Sequence, residues 1–209
     1  MDQTKKREEA VGKFFNREAK RWGKRQDKGG IPYSAMKHVD AMVDNSVSSV
    51  IDVGAGPGII LLEMIEKGVE SGVAVDLSKE MCIEAERRVK SNQLEDRVEV
   101  IQGSFLEMDT PKTEGVSLHM VLCCHPDLEA MLRRSMKNDP KIVAITVPRS
   151  FWILRHFVNL VMNIKDFFSK GFRFFVYKEA DIISQMDQGG YKLIDRISKG
   201  FKVTLVFSK

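Results

Sequence analysis

Cysteine is scarce in this 209-residue chain: Cys82, Cys123 and Cys124 are the only three, and two are adjacent. Three thiols cannot build a disulfide framework and sequence neighbours seldom bridge, so reduced thiols and a cytoplasmic location are expected. No Cys/His spacing fits zinc, and no metal is expected. There is no run of about 18 uncharged apolar residues, which excludes a candidate spanning helix. The opening MDQTKKREEAVGKFF lacks the apolar centre of a secretion signal. Internal repeats and low-complexity tracts are also missing. The length suits one well-buried core, so a single domain over 1–209 is expected.

What the chain does have is a division of charge. Residues 1–30 carry ten basic and five acidic side chains, and residues 149–178 carry six basic and one acidic. Each segment nets +5 while the whole chain nets +4, so the remainder is acidic on balance. Localised charge bears on partners rather than on fold. A solvated helix face is the plain alternative for either segment.

The pattern along the chain predicts a basic helix over 10–28, with Phe14, Phe15, Ala19 and Trp22 on one side, and a second helix over 34–45. Short β-branched runs then alternate with helical ones. Strands are predicted at Val50–Val53, Val73–Asp76, Arg97–Gln102, Val116–Cys123 and Lys141–Val147, and helices at Gly58–Lys67, Lys79–Asn92 and Leu128–Lys137. Continuous apolar strands between amphipathic helices imply an α/β class: a doubly wound, Rossmann-like sheet, mostly parallel and covered on both faces. A helix at Glu179–Gln188 and strands near Lys192–Arg196 and Lys202–Phe207 close the chain with antiparallel pairing. Ligands of such sheets bind beyond the carboxyl ends of the strands.

At the first such end lies VIDVGAGPGII. Its glycines, Gly54, Gly56 and Gly58, are spaced G-x-G-x-G, and Ile59 stands where a dinucleotide loop needs its third small residue. No Gly-Lys-Ser/Thr follows, which excludes a P-loop. Asp52 precedes the loop and would repel a pyrophosphate. It favours a ligand bearing an ammonium and a sulfonium, whose carboxylate the loop N–H groups can accept. A loop-tying role for Asp52 is the plain alternative. Asp76 closes the next strand, 18 residues after Gly58, where a carboxylate accepts both ribose hydroxyls of an adenosine.

These residues resemble class I S-adenosylmethionine-dependent methyltransferases. DVGAGPG at 52–58 resembles that family's first motif, AVDLSKEM at 74–81 its second and VEVIQGSFLEMD at 98–109 its third. The resemblance implies S-adenosylmethionine as cofactor, held by Asp52, Gly54, Ala55, Gly56, Gly58, Asp76, Leu77, Ser104 and Phe105. Ser104 replaces an Asp common in the family, and Phe105 is the apolar residue expected against the adenine. FFNREAKRWGKR resembles the helix that many small-molecule methyltransferases fold over the cofactor; a helix packed on the sheet edge is the alternative.

The acceptor is expected beyond the fourth and fifth strands. CCHPD at 123–127 lacks the amide and the aromatic plane of the N/D-P-P-Y/F turn that holds nucleobase amines, which argues against nucleic acid. His125 is the candidate general base; a turn histidine satisfied by Asp127 or by backbone is the alternative. Cys123 and Cys124 read as packing residues. Segment 149–178 reads as an amphipathic insert rich in aromatics, with Arg149, Trp152, Arg155 and Arg173 as acceptor-binding candidates. A membrane-surface helix is its rival reading. CCHPD, PRSFW and FRFFVY loosely resemble the magnesium-protoporphyrin O-methyltransferase branch, which implies a flat or amphipathic acid. The chain thus divides into N-terminal helices (1–45), cofactor core (46–148), acceptor-side insert (149–178) and closing elements (179–209). The expected activity is methyl transfer to a small or medium organic acceptor, at oxygen rather than nitrogen. A protein or RNA methyltransferase and a non-catalytic partner subunit stand as alternatives.

Overall fold

The computed structural model describes residues 3–150 and 173–209, with 3–4 and 20–29 described by backbone alone. The strands are β1 (Ser49–Val53), β2 (Ser71–Asp76), β3 (Val98–Gln102), β4 (Gly115–His119), β5 (Ile142–Pro148), β6 (Lys192–Lys199) and β7 (Lys202–Ser208). They form one sheet in the order β3-β2-β1-β4-β5-β7-β6. The first five are parallel, β7 runs antiparallel to β5, and β6 antiparallel to β7. The helices are α1 (Gln3–Gly29), α2 (Tyr33–Asp44), α3 (Ile59–Glu66), α4 (Lys79–Ser91), α5 (Leu128–Met136) and α6 (Glu179–Gln188). Among the described residues no helix is long and apolar enough to cross a membrane.

Strand alternation sends apolar side chains to both faces. Ile51, Val73, Val143, Val147 and Leu205 pack with Met131 and Leu132 of α5 and Ile182 and Met186 of α6. Val50, Ala74, Ile142 and Val206 pack on the other face with Met42 of α2 and Leu61 and Met64 of α3. Burying a side chain of this size stabilises the fold by roughly 1.5–3 kcal/mol. The second face carries an exception. Asp52, Ser117, Thr146 and Thr204 form a buried polar stripe beneath α2. His38 bridges it, with Nδ1 2.9 Å from Ser117 Oγ and Nε2 2.7 Å from Thr146 Oγ1, and Thr146 Oγ1 lies 2.7 Å from Thr204 Oγ1.

Two expectations need correction. The helix expected over 10–28 begins at Gln3, and its first turns hold the buried Glu8. The fourth strand, expected to reach Cys123, stops at His119. Met120 adopts φ 61°, a conformation side chains rarely take, and Leu122–Cys124 wind into a 3₁₀ turn. A β-rich composition could not reveal this break, because Met120 keeps its N–H bonded to the Thr146 carbonyl at 2.9 Å as if the strand continued. His119, and not His125, therefore ends the strand.

Candidate active site

Three glycines in the left-handed region turn the chain from β1 into α3, with Gly54 at φ 63°, Gly56 at 55° and Gly58 at 77°. A Cβ at Gly54 would stand 2.6 Å from Val121, so the loop also needs glycine for its close approach to the end of β4. Asp76 ties this loop to its own strand end: the Gly56 N–H donates to Oδ2 and the Ser78 N–H to Oδ1, both at 2.8 Å. Burial pushes the Asp76 carboxyl above its ordinary range despite these donors.

Asp52 lies behind the loop, 1% exposed. Oδ1 accepts from Ser117 Oγ at 2.7 Å, while the buried Oδ2 has no partner among the described residues. Burial raises this carboxyl to about 7; the Ser117 hydrogen bond opposes the rise and the Asp76 charge adds to it. An unpaired acceptor of that kind fits a cationic ligand group.

Helix α1 crosses over this end of the sheet. A Cβ at Gly12 would lie 3.0 Å from the Leu77 carbonyl oxygen. Asn16 Oδ1 accepts from Ser78 Oγ at 2.7 Å and from the Glu80 N–H at 3.2 Å, which docks α1 onto the start of α4. Glu8 reaches further in: Oε1 accepts from Ser104 Oγ at 2.7 Å and stands 3.6 Å from His125 Nε2. Burial alone would raise the Glu8 carboxyl, but the His125 and Ser104 contacts outweigh it and hold it below its ordinary value. No pattern in the sequence points to Glu8, which lies in a run of charged residues without apolar period.

His125 is 6% exposed. Its Nδ1 lies 3.1 Å from the Asp127 N–H and 3.2 Å from the Asp127 carbonyl, and its buried Nε2 has no hydrogen-bond partner among the described residues. Tyr177 Oη donates to the His125 carbonyl at 2.5 Å, and the Phe175 N–H to the Cys123 carbonyl at 2.7 Å. The end of segment 149–178 is thereby held against the turn that carries His125.

A single cavity of about 370 Å³ connects these parts. Gly54, Ala55, Gly56, Asp76, Leu77 and Phe105 line one side, and His119, Cys124, His125 and Lys202 contribute to the rest, with Glu8, Val11 and Phe15 of α1 over them. Asp52, Gly58 and Ser104 of the expected set stand outside this lining: Asp52 beside Val53 in β1, Ser104 bonded to Glu8, Gly58 as the first residue before α3. Of the expected acceptor residues, Arg149 lies at the end of β5 with its N–H on the Phe201 carbonyl at 2.8 Å, and Arg173 is exposed; neither lines the cavity. Trp152 and Arg155 lie outside the described residues. Sequence reasoning does not find His119 or Lys202: the run Val116–Cys123 reads as one strand that hides the end at His119, and β7 reaches the site only through its pairing with β5.

Residues 50–138 match the family model of the methyltransferase domain. The ribosomal protein L11 methyltransferase of Staphylococcus haemolyticus is 32% identical over 141 residues, 66% of this chain and 45% of that protein. The protein of the same name from Desulforamulus reducens is 25% identical over 165 residues, 79% of this chain and 44% of its own length. The chain thus spans less than half the length of either relative. Magnesium protoporphyrin IX methyltransferase from Synechocystis PCC 6803, solved with bound SAH, superposes with a TM-score of 0.76 at 17% identity, covering 95% of this chain and 98% of that one. That likeness is one of fold. Fold, motifs and the match over residues 50–138 support one class, the class I S-adenosylmethionine-dependent methyltransferases. The chain carries its methyltransferase domain at residues 50–138, and S-adenosylmethionine is the cofactor of the class.

Proposed function

We propose that this chain transfers the methyl group of S-adenosylmethionine to an oxygen of a small or medium organic acceptor, one that is anionic and partly apolar. The observation that carries the reading is the continuous cavity from Asp76 and the glycine loop to His125. The cofactor, when bound, supplies a methyl group on a cationic sulfur. Every other contribution comes from this chain. Asp76 accepts the ribose hydroxyls beside the Gly56 and Ser78 N–H groups it already holds, and Leu77 and Phe105 flank the adenine. Asp52 offers its unpaired Oδ2 to the ammonium. Helix α1 excludes water above the site.

His125 takes the acceptor's proton at Nε2. This requires the tautomer with its proton on Nδ1, which donates to the Asp127 carbonyl in place of accepting the Asp127 N–H. The Glu8 carboxylate, 3.6 Å from Nε2, then stabilises the imidazolium. Alignment of the acceptor in the cavity supplies the remainder of the rate. The acceptor role proposed for segment 149–178 is supported by Phe175 and Tyr177, which bond the turn that carries His125.

The names of the curated relatives favour a second reading, methylation of a protein. Incubation with methyl-labelled cofactor separates the two. Label on a small organic acid, with a mass gain of one methylene, supports the first reading. Label that precipitates with protein supports the second. Binding of the cofactor without any transfer would mean a non-catalytic subunit.

A further inference from the structure

We propose that Lys202, with Ser34 and His119, forms a seat for the carboxylate of an organic-acid acceptor at the β7 end of the cavity; the inference rests on the methyl-transfer reading above. Lys202 is half-buried and lines the cavity. Its Nζ lies 3.5 Å from Ser34 Oγ and 5.6 Å from the Phe201 ring centroid, and no carboxylate stands within ion-pair distance of it among the described residues. Burial lowers the pKa of this ammonium, as expected for a cation without an anion beside it.

Ser34 Oγ is also 3.0 Å from His119 Nε2. Burial and the neighbouring Lys202 charge drive His119 down to about 3, so its imidazole is neutral. With the proton on Nε2, His119 donates to Ser34, and the Ser34 hydroxyl is free to donate to an anion. The ammonium and the hydroxyl then offer two donors to the two oxygens of a carboxylate. The cluster holds one positive charge and no negative one.

The sheet order sets this seat apart from the adenosine end. Asp76 is on β2 and Lys202 on β7, with β1, β4 and β5 between them. Four strand spacings of about 4.8 Å separate them by roughly 19 Å. The cofactor's ammonium already has the unpaired Oδ2 of Asp52, on β1. Outward from Lys202 the rim is aromatic and basic. Phe201 lines the cavity at 59% exposure. Tyr33 is 46% exposed, with Lys199 Nζ 4.1 Å and Lys37 Nζ 5.3 Å from its ring centroid. Such a rim suits the apolar body of a planar acid.

The test is calorimetry on the full chain with naphthoate and the matching naphthamide, in the presence of S-adenosylhomocysteine. Wild type should prefer the acid by about tenfold or more. Lys202→Met should erase that preference, Ser34→Ala should reduce it, and Lys202→Arg should keep it, with S-adenosylhomocysteine affinity unchanged throughout. If Lys202→Met instead weakens S-adenosylhomocysteine but not methylthioadenosine, which lacks the carboxylate, the seat belongs to the cofactor and the proposal is overturned. A preference that survives Lys202→Met, or is missing in wild type, also overturns it. If S-adenosylhomocysteine fails to bind wild type while the Lys202-dependent preference persists, the seat stands and the methyl-transfer reading falls.

Discussion

Glu8 of α1 and His125 of the turn beyond β4 approach to 3.6 Å, bringing the start of the chain against the residue proposed to move the proton. The carboxylate has a second anchor at Ser104, so the pair is held in place before any acceptor arrives. His125→Asn should lower kcat by about 10²–10⁴-fold, the usual range for a lost general base. S-Adenosylhomocysteine affinity should stay near wild type in calorimetry. Glu8→Gln should lower kcat less and move the acid limb of its pH profile. Full kcat in His125→Asn would mean that positioning alone suffices.

Asp76→Ala removes the proposed ribose contact and also frees the Gly56 and Ser78 N–H groups. A lost hydrogen bond to a charged group costs roughly 1.5–3 kcal/mol, so cofactor affinity should fall by at least about tenfold. Calorimetry checks this. Unchanged affinity rules out the ribose assignment.

Cofactor binding should depend on pH through Asp52. Its carboxyl sits at about 7 against an ordinary 3.8, so near neutral pH it is partly protonated without ligand. A ligand ammonium favours the ionised form, so binding should release protons and tighten as pH rises through about 7. Calorimetry in buffers of different ionisation heat reads that release, and Asp52→Asn should abolish it. For stability the sign reverses. A raised folded pKa makes this group's contribution complete below 3.8 and lost as pH rises through about 7, and bound cofactor should restore it.

His38 and His119 act oppositely. Burial lowers both below the ordinary 6.5 and keeps them neutral in the folded chain. Their stabilising contribution is complete above pH 6.5 and is lost as pH falls toward the folded values, so apparent Tm should drop on acidification. His38→Leu should itself destabilise by about 1–3 kcal/mol, because it removes two buried hydrogen bonds and leaves Ser117 with Asp52 alone and Thr146 with Thr204 alone. Adding Thr146→Val and Thr204→Val, which removes both hydroxyls of the remaining pair, should recover part of that loss in thermal melts. No recovery would mean that His38 acts through packing alone.

The α/β alternation, the glycine turn after β1 and the acidic residue closing β2 are legible in the chain alone. Those features are local: strand runs, left-handed glycines and a carboxylate at a strand end are set by neighbours in the chain. The positions of Asp52, Asp76 and Phe105 relative to the turn were legible for the same reason. The rest depends on how distant elements pack. Glu8 meets Ser104 and His125 because α1 lies across α4 and the cavity, a docking that Gly12 and Asn16 permit. His119 ends β4 because Met120 breaks the strand in a conformation its composition does not announce. Lys202 reaches the cavity because β7 inserts antiparallel beside β5, ahead of β6 in the sheet order. Contacts between residues far apart in sequence leave no periodic trace, and pairing geometry alone brings those side chains to one cavity.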